Sequence, residues 1–334
     1  MTHTIYDICG IGNAIVDILA HADEEFIREQ NLLKGAMTMI DEERAEELYG
    51  LMEGTAKECS GGSAANTMAG IASLGGMPAF IGKVKQDGPG ESFRYDMRTI
   101  GVHFDTPAQA DGKATARCYI FVTPDAQRTM NTYIGACAEL TEDDINDALV
   151  AHSKITYIEG YLWDTPNAKA AIRKALKVAH DYDRTVAFTL SDIFCVDRHR
   201  QDFIELIGSH INILFANENE LKSLYQTDNF DRAAEMVRGK CDIAVLTRSE
   251  KGSLIVTKDN TIHIEAGKDL DVVDSTGAGD LYASGFLHGF AQGMDLKACG
   301  EIATLCASEI IQQIGARPQR PLNQLIQHKN KVKA

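Results

Sequence analysis

From Lys154 onward, short runs of β-branched and apolar residues alternate with longer stretches whose apolar positions recur at helical spacing. Residues 154–158, 185–190 and 211–216 read as buried strands, and 168–180 and 202–207 as the helices between them. A helix is the usual crossover between parallel strands, so this alternation predicts βαβ units. Upstream, 5–12 and 78–84 read as further strands, with a helix over 64–74 between them. The expected fold class is α/β: a doubly wound, mostly parallel sheet flanked by helices. Two segments break the rhythm. Residues 35–40 and 117–133 read as strands without crossover helices, the second as 118–122 and 129–133 around a Pro124-Asp125 turn. They predict a small β lid, with an ordinary hairpin excursion as the alternative. The approximate division is 1–12, 41–104 and 134–334 for a large α/β unit and 13–40 and 105–133 for the lid. The acidic stretch 41–47 fits a solvated helix face capped by Asp41.

Length and charge narrow the class further. The 334 residues correspond to roughly two units at ~150 residues each. Apolar runs such as 211–216 fall far short of the ~20 residues a membrane helix needs. The start of the chain lacks the basic and apolar regions of a signal peptide, so a cytoplasmic location is expected. A net charge of −15 disfavours nucleic acid and anionic membranes as partners, since both recruit clustered Lys and Arg. A small molecule remains, and even an anionic one can be held by backbone amides and a few local cations. Eight dispersed cysteines, without a C-x-x-C pair, argue for reduced thiols and against a zinc site or disulfide framework.

Within 272–286 an apolar strand end passes through Asp274-Ser275-Thr276-Gly277-Ala278-Gly279 into a helical pattern. Gly277, Ala278 and Gly279 let an anion approach their N–H groups at a helix start, where the dipole favours negative charge. Asp280 then stands in the first turn, where it would repel a phosphate unless it serves to take a proton from an incoming hydroxyl. That pairing points to phosphoryl transfer to an alcohol; ordinary dipole pairing is the plainer alternative. A second small-residue run, Ser60-Gly61-Gly62-Ser63, precedes the 64–74 helix, with Ser63 and Asn66 as polar groups beside it. A capped turn would look the same. At the end of the first strand, Asn13 and Asp17 provide a third polar pair; Asp17 could accept from two adjacent sugar hydroxyls, or simply end a strand.

Taken in order, Asn13 and Asp17, Gly61-Gly62-Ser63-x-x-Asn66, Asn217-x-x-Glu220 and Asp274-x-x-Gly277-Ala278-Gly279-Asp280 resemble the ribokinase-like (PfkB) carbohydrate kinases over nearly the whole chain. Gly10–Asp17, Met130-Asn131-Thr132-Tyr133 and Glu159-Gly160-Tyr161-Leu162 are similar to its adenosine kinase-like branch. The resemblance implies a ribokinase-like fold whose large unit binds nucleotide. It also implies that Asp280 is the base and the Gly277-Ala278-Gly279 amides an anion hole. Asn13, Asp17, Gly61, Gly62, Ser63 and Asn66 would hold the acceptor's ribose, Arg128 would offset phosphate charge on lid closure, and Met37, Met39 and Tyr133 would border the base. ATP would lie against Thr247, Gly252, Thr276, Gly277 and Gly279, and Asn217 and Glu220 would orient Mg2+ through water. A monovalent cation such as K+ is a further expectation near Asp274. The implied acceptor is a nucleoside, adenosine first, or a free sugar of the ribose, fructose or 2-keto-3-deoxygluconate type; a nucleoside-binding protein without turnover is the non-enzymatic alternative. Either a monomer or a homodimer fits. Ser249 departs from the family pattern, standing where a glycine is usual. No G-x-x-x-x-G-K-[ST] occurs, and Ile15 takes the place of the third glycine of a dinucleotide fingerprint, which sets both of those classes aside.

Overall fold

The computed structural model of the chain describes residues 5–52, 56–125 and 127–326. Residues 1–4, 53–55, Ala126 and 327–334, which the expected N-terminus, hairpin turn and unit boundaries include, lie outside the described residues. The strands are β1 (Tyr6–Ile11), β2 (Ile15–His21), β3 (Met37–Met39), β4 (Lys57–Ser60), β5 (Pro78–Ile81), β6 (Ala116–Val122) and β7 (Arg128–Tyr133). They continue with β8 (Ser153–Glu159), β9 (Thr185–Thr189), β10 (Ile213–Asn217), β11 (Ile243–Thr247), β12 (Ser253–Thr257) and β13 (Thr261–Ile264).

Eight strands form one sheet in the order β13-β12-β11-β10-β9-β8-β1-β5. From β11 to β5 all neighbours are parallel, and β12 and β13 add an antiparallel edge. The fold is therefore the α/β class that the alternation predicts. Strands covered on both faces read as continuous apolar runs, and Ile213-Leu214-Phe215-Ala216 and Ile243-Ala244-Val245-Leu246 are buried throughout. On one face the helices Pro166–Asp181 and Ile193–Ser209 enclose a core with Trp163 and Phe203. On the other, the helices Ser63–Ser73, Ala278–Ala291 and Leu296–Ile310 pack with Met68, Phe215 and Phe286. Side-chain caps start several helices, with Thr165 accepting from the Ala168 amide and Asp192 from that of Cys195.

The second sheet has the order β3-β7-β6-β2-β4. Alternation along β2 buries Val16, Ile18 and Ala20 on one side, where Tyr119, Phe121 and the helix Glu42–Met52 complete a core. Ile15, Asp17 and Leu19 lie on the other, half-buried side. β4 belongs to this sheet, antiparallel to β2, although the sequence reading groups its residues with the large unit. Lys57-Glu58-Cys59-Ser60 is too short and too polar to announce a strand; its partner supplies the pairing. As read from sequence, Asp41 caps the acidic helix, accepting from the Arg44 amide at 2.9 Å. Among the described residues no helix is long and apolar enough to cross a membrane, and all eight cysteines are free thiols.

β1 lies between β5 and β8, so the chain winds away from it in both directions. Open α/β sheets collect ligands at the carboxyl ends of strands beside such a reversal. Asn13 follows β1, Glu159 ends β8, Asn217 ends β10 and Thr247 ends β11.

Candidate active site

Two helix N-termini meet at this end of the sheet. The helix Ala278–Ala291 begins after Gly277, at φ +78°, and the helix Ser63–Ser73 after Gly62, at φ +87°; neither N-cap has a side-chain hydrogen bond. Both glycines are needed where they stand, because an L side chain rarely adopts this backbone. A Cβ would also lie 2.7 Å from Ala316 Cβ at Gly277 and 2.2 Å from the Asn13 carbonyl oxygen at Gly62. The helices approach so closely that a Cβ on Gly70 would be 2.3 Å from Ser284 Oγ. Their dipoles thus point together into one crevice, which favours an anion. In the turn, the Ala278 amide donates to the Ser275 carbonyl at 3.2 Å. Those of Gly277 and Gly279 have no protein acceptor among the described residues.

Asp280 lies between the two helix starts. Ser63 Oγ donates to its Oδ1 at 2.7 Å and Asn66 Nδ2 to its Oδ2 at 3.0 Å. Burial pushes its carboxyl up to about 6, against these two hydrogen bonds, which favour the ionised form. A carboxylate of that pKa is matched to accepting a proton near neutral pH. Beneath it, the fully buried Glu159 accepts the amides of Asn13 and Ala64, both at 2.8 Å, and so ties the end of β1 to the Ser63–Ser73 helix. Burial pushes Glu159 up to about 7.

Asp17 faces the same crevice from β2. Among the described residues its carboxylate accepts no hydrogen bond from protein, and burial pushes it up to about 7, opposed by Arg128 and Arg317 and reinforced by Asp280. Gly61 leaves room for it: a Cβ there would be 2.4 Å from Asp17 Oδ2. Pairing registers set the residues beside Asp17 in one row, Cys59, Asp17, Cys118, Thr132 and Met39, across β4, β2, β6, β7 and β3. The next row on that face is apolar over four strands, Leu19, Ile120, Met130 and Met37, with Lys57 on β4 at its end. Arg128 reaches from β7 to Asp274 Oδ2 and Thr276 Oγ1 in the glycine turn. Asp274 is held below its ordinary value; burial acts the other way but is outweighed by the Gly315 and Thr276 amides, the Thr276 hydroxyl and Arg128.

A cavity of about 90 Å³ runs from Ser63, Gly279 and Asp280 to Asn217, Glu220 and Thr247. It shares Asn217, Thr247 and Gly279 with a larger cleft of about 660 Å³, whose walls include Gly252, Leu270, Val272 and Ile311. That volume is typical of a small-molecule site. Asn217 and Glu220 form a capping box: Asn217 Oδ1 accepts the Asn219 and Glu220 amides at 2.9 Å, and Glu220 Oε2 accepts the Asn217 amide at 2.9 Å. Asn217 Nδ2 also donates to Glu220 Oε1 at 2.5 Å. The lone pairs left on Glu220 are what this box offers a hard cation, and an oxygen donor already engaged by protein suits contact through water. Burial pushes Glu220 up to about 7. Ser249, in the place of the usual glycine, adopts φ +50°, the left-handed conformation that explains the preference for glycine there.

Most of the predicted residues converge; Tyr133 does not. It is paired with Arg117 on the opposite face of the small sheet, buried with the guanidinium 6.0 Å from its ring centroid. One position along a strand reverses the face, and Thr132 holds the β7 place in the row of Asp17, with Cys118 between them. Trp163 is fully buried in the main core and donates Nε1 to Asp202 at 2.7 Å. Sequence reasoning missed Glu159 as a site residue and missed Arg317 altogether. Glu159 carried a signal, as an acidic residue at the end of an apolar strand; Arg317 carried none.

The profile of the pfkB family carbohydrate kinases matches residues 31–323. The chain is 50% identical to the crystal structure of adenosine kinase from Sinorhizobium meliloti, with a TM-score of 0.90 over 97% of this chain and 99% of that one. It is 47% identical to a probable sugar kinase from Rhizobium etli CFN 42, with a TM-score of 0.92 over 98% and 99%. A nucleoside kinase from Methanocaldococcus jannaschii is 27% identical over 270 residues, 80% of this chain and 84% of that protein. With an acid-bearing glycine turn, a nucleotide-sized cleft and a family match over most of its length, the chain belongs to the pfkB carbohydrate kinases, phosphotransferases with an alcohol group as acceptor.

Proposed function

We propose that the protein transfers the γ-phosphoryl group of ATP to the 5′-hydroxyl of a ribonucleoside, adenosine first, giving the nucleoside monophosphate. The observation that carries this reading is the face of the small sheet. An unpartnered carboxylate, Asp17, suited to two ribose hydroxyls, stands beside the apolar row Leu19, Ile120, Met130 and Met37, suited to a flat base. A free sugar would use Asp17 and leave the apolar row without an occupant. The 50% identity to an adenosine kinase supports the same choice.

In this reading Asn13, Gly61, Gly62, Ser63 and Asn66 frame the ribose beside Asp17, with Met39 at the end of its row. Asp280 accepts the 5′-hydroxyl proton while the oxygen attacks phosphorus in line with the departing ADP. The amides at Gly277, Ala278 and Gly279 meet the charge on the transferring group; that of Ala278 must leave the Ser275 carbonyl or share it. ATP takes the larger cleft, with Thr247, Gly252 and Thr276 along it. Asn217 and Glu220 would hold Mg2+ through water, and the ion would supply positive charge at the phosphates of the nucleotide. A monovalent cation such as K+ near Asp274 would have to take the place of the Arg128 guanidinium, which pairs with that carboxylate in this structure. We assign the protein to the cytoplasm, where ATP is available and free thiols stay reduced.

Asp17 and Asp280 must both be ionised, and their values of about 7 and about 6 lie above those of exposed carboxylates. Protonation as the pH falls therefore removes activity. kcat/KM for the acceptor is expected to fall from about pH 7 downward and more steeply below about 6. A flat profile from pH 8 to 5 would contradict both roles.

Equilibrium dialysis tests the acceptor class. Adenosine is expected to bind, and fructose or 2-keto-3-deoxygluconate only weakly; the reverse order would defeat the nucleoside reading. Asp17→Asn is expected to weaken adenosine binding by about 10- to 100-fold, as lost hydrogen bonds to a charged group do, and to change kcat less. The same variant should melt at a higher temperature than the parent at pH 8. A carboxyl raised from 3.8 to about 7 on folding contributes stability below its unfolded value and loses it as pH rises through the folded one. Unchanged affinity would remove Asp17 from the acceptor site.

A further inference from the structure

The segment that follows the helix Leu296–Ile310 touches three parts of the site with three consecutive residues. The Gly315 amide donates to Asp274 Oδ2 at 2.9 Å. Ala316 packs against Gly277 at the head of the glycine turn. Arg317 Nε donates to Asn66 Oδ1 at 3.3 Å, and its Nη2 lies 3.3 Å from Met97 Sδ.

Arg317 decides which way the Asn66 amide faces. A guanidinium has only donors, so Asn66 must turn its oxygen to Arg317 and its NH₂ to Asp280, the arrangement observed. The flipped amide would set donor against donor and oxygen against carboxylate. Arg317 makes no ion pair with a carboxylate among the described residues; Asp96 and Asp17 act on it at longer range, and burial lowers its pKa. A positive charge is therefore kept in the crevice without being spent on a direct partner.

We infer that Arg317 is a positioning residue for phosphoryl transfer, orienting the Asn66 amide so that its NH₂ faces Asp280. This rests on the roles proposed above for Asp17 and Asp280. The charged groups acting on Asp17 come from several sides, Arg128 on β7, Arg317 on the C-terminal segment and Asp280 on the Ala278–Ala291 helix, while the neighbouring thiols of Cys59 on β4 and Cys118 on β6 are themselves raised by burial and by Asp17. Removing one of the two cations leaves Arg128 alone against burial and Asp280.

The test compares the parent, Arg317→Gln and Arg317→Lys by pH profiles of kcat and kcat/KM, with thermal melting alongside. Arg317→Gln is expected to lower kcat/KM by about 10- to 100-fold and to move its acid limb up by roughly one pH unit. Lysine keeps the charge but not the planar fork, so Arg317→Lys should return the limb towards the parent's position while kcat stays low. In an Asn66→Ala background, the further loss of kcat caused by Arg317→Gln should be small, since the amide it orients is gone. Parent-like activity, or equal losses in both variants with unmoved limbs, would overturn the inference. If the glutamine variant does not fold, Arg317→Lys decides alone: a lowered kcat supports the inference and a parent-like kcat overturns it. A parent inactive on adenosine but active on ribose would count against the proposed acceptor instead, and an unmoved limb with ribose would then overturn the role of Arg317.

Discussion

Turnover of an Asp280→Asn variant is expected to fall by about 10²–10⁴-fold, the range for loss of a general base, with adenosine affinity close to the parent's. The substitution keeps the shape of the side chain at the point where the helices Ala278–Ala291 and Ser63–Ser73 meet. It removes the lone pair that would take the hydroxyl proton. Ser63 and Asn66 can still place a donor against the remaining carbonyl oxygen, so the turn and its amides should stay in position. Binding by Asp17 and the apolar row should persist, because neither touches Asp280 directly. Steady-state kinetics with dialysis on the same preparation reads both quantities. Full turnover in the variant would remove Asp280 from proton transfer, and equal losses of affinity and turnover would recast it as a binding group.

The second large effect is on stability. Glu159→Ala is expected to destabilise the protein by roughly 2–6 kcal/mol, since two buried amides, of Asn13 and Ala64, each lose their acceptor at ~1–3 kcal/mol. Glu159→Gln should cost less, because its carbonyl oxygen still satisfies one of the two. The parent's own pH dependence has a definite sign here. A carboxyl raised from 4.5 to about 7 on folding stabilises most below its unfolded value, and that contribution is lost as pH rises through about 7. Chemical denaturation of the three proteins at pH 6 checks the order. An alanine variant with the parent's midpoint would show that Glu159 does not hold β1 to the Ser63–Ser73 helix.

The difference between what was legible in the sequence and what was not follows from the range of the physics involved. Strands β8 to β10 and their helices announce themselves because burial on both faces and helical periodicity act over a few residues. The glycine turn is equally local: small residues, a helix start and an acid at position 280 lie within four positions. The Asn217-x-x-Glu220 spacing is a capping box as well as a site motif, so local physics alone would conserve its geometry. Tyr133 failed because the face of a strand depends on register with its neighbours, and nothing within 128–133 reveals that Thr132 shares a row with Asp17. β4 failed for the same reason, since its strand exists through β2. Arg317 is 251 residues from Asn66 in a segment without periodicity, and only the folded chain brings the two together.

The most direct test of the central claim is phosphoryl transfer from ATP with Mg2+, measured as phosphorylated product across adenosine, guanosine, inosine, ribose, fructose and 2-keto-3-deoxygluconate, with Asp280→Asn run beside the parent. Adenosine converted to AMP by the parent, and almost none by the variant, is the result predicted here. Product from a free sugar alone, or the same rate on adenosine from both proteins, would contradict it.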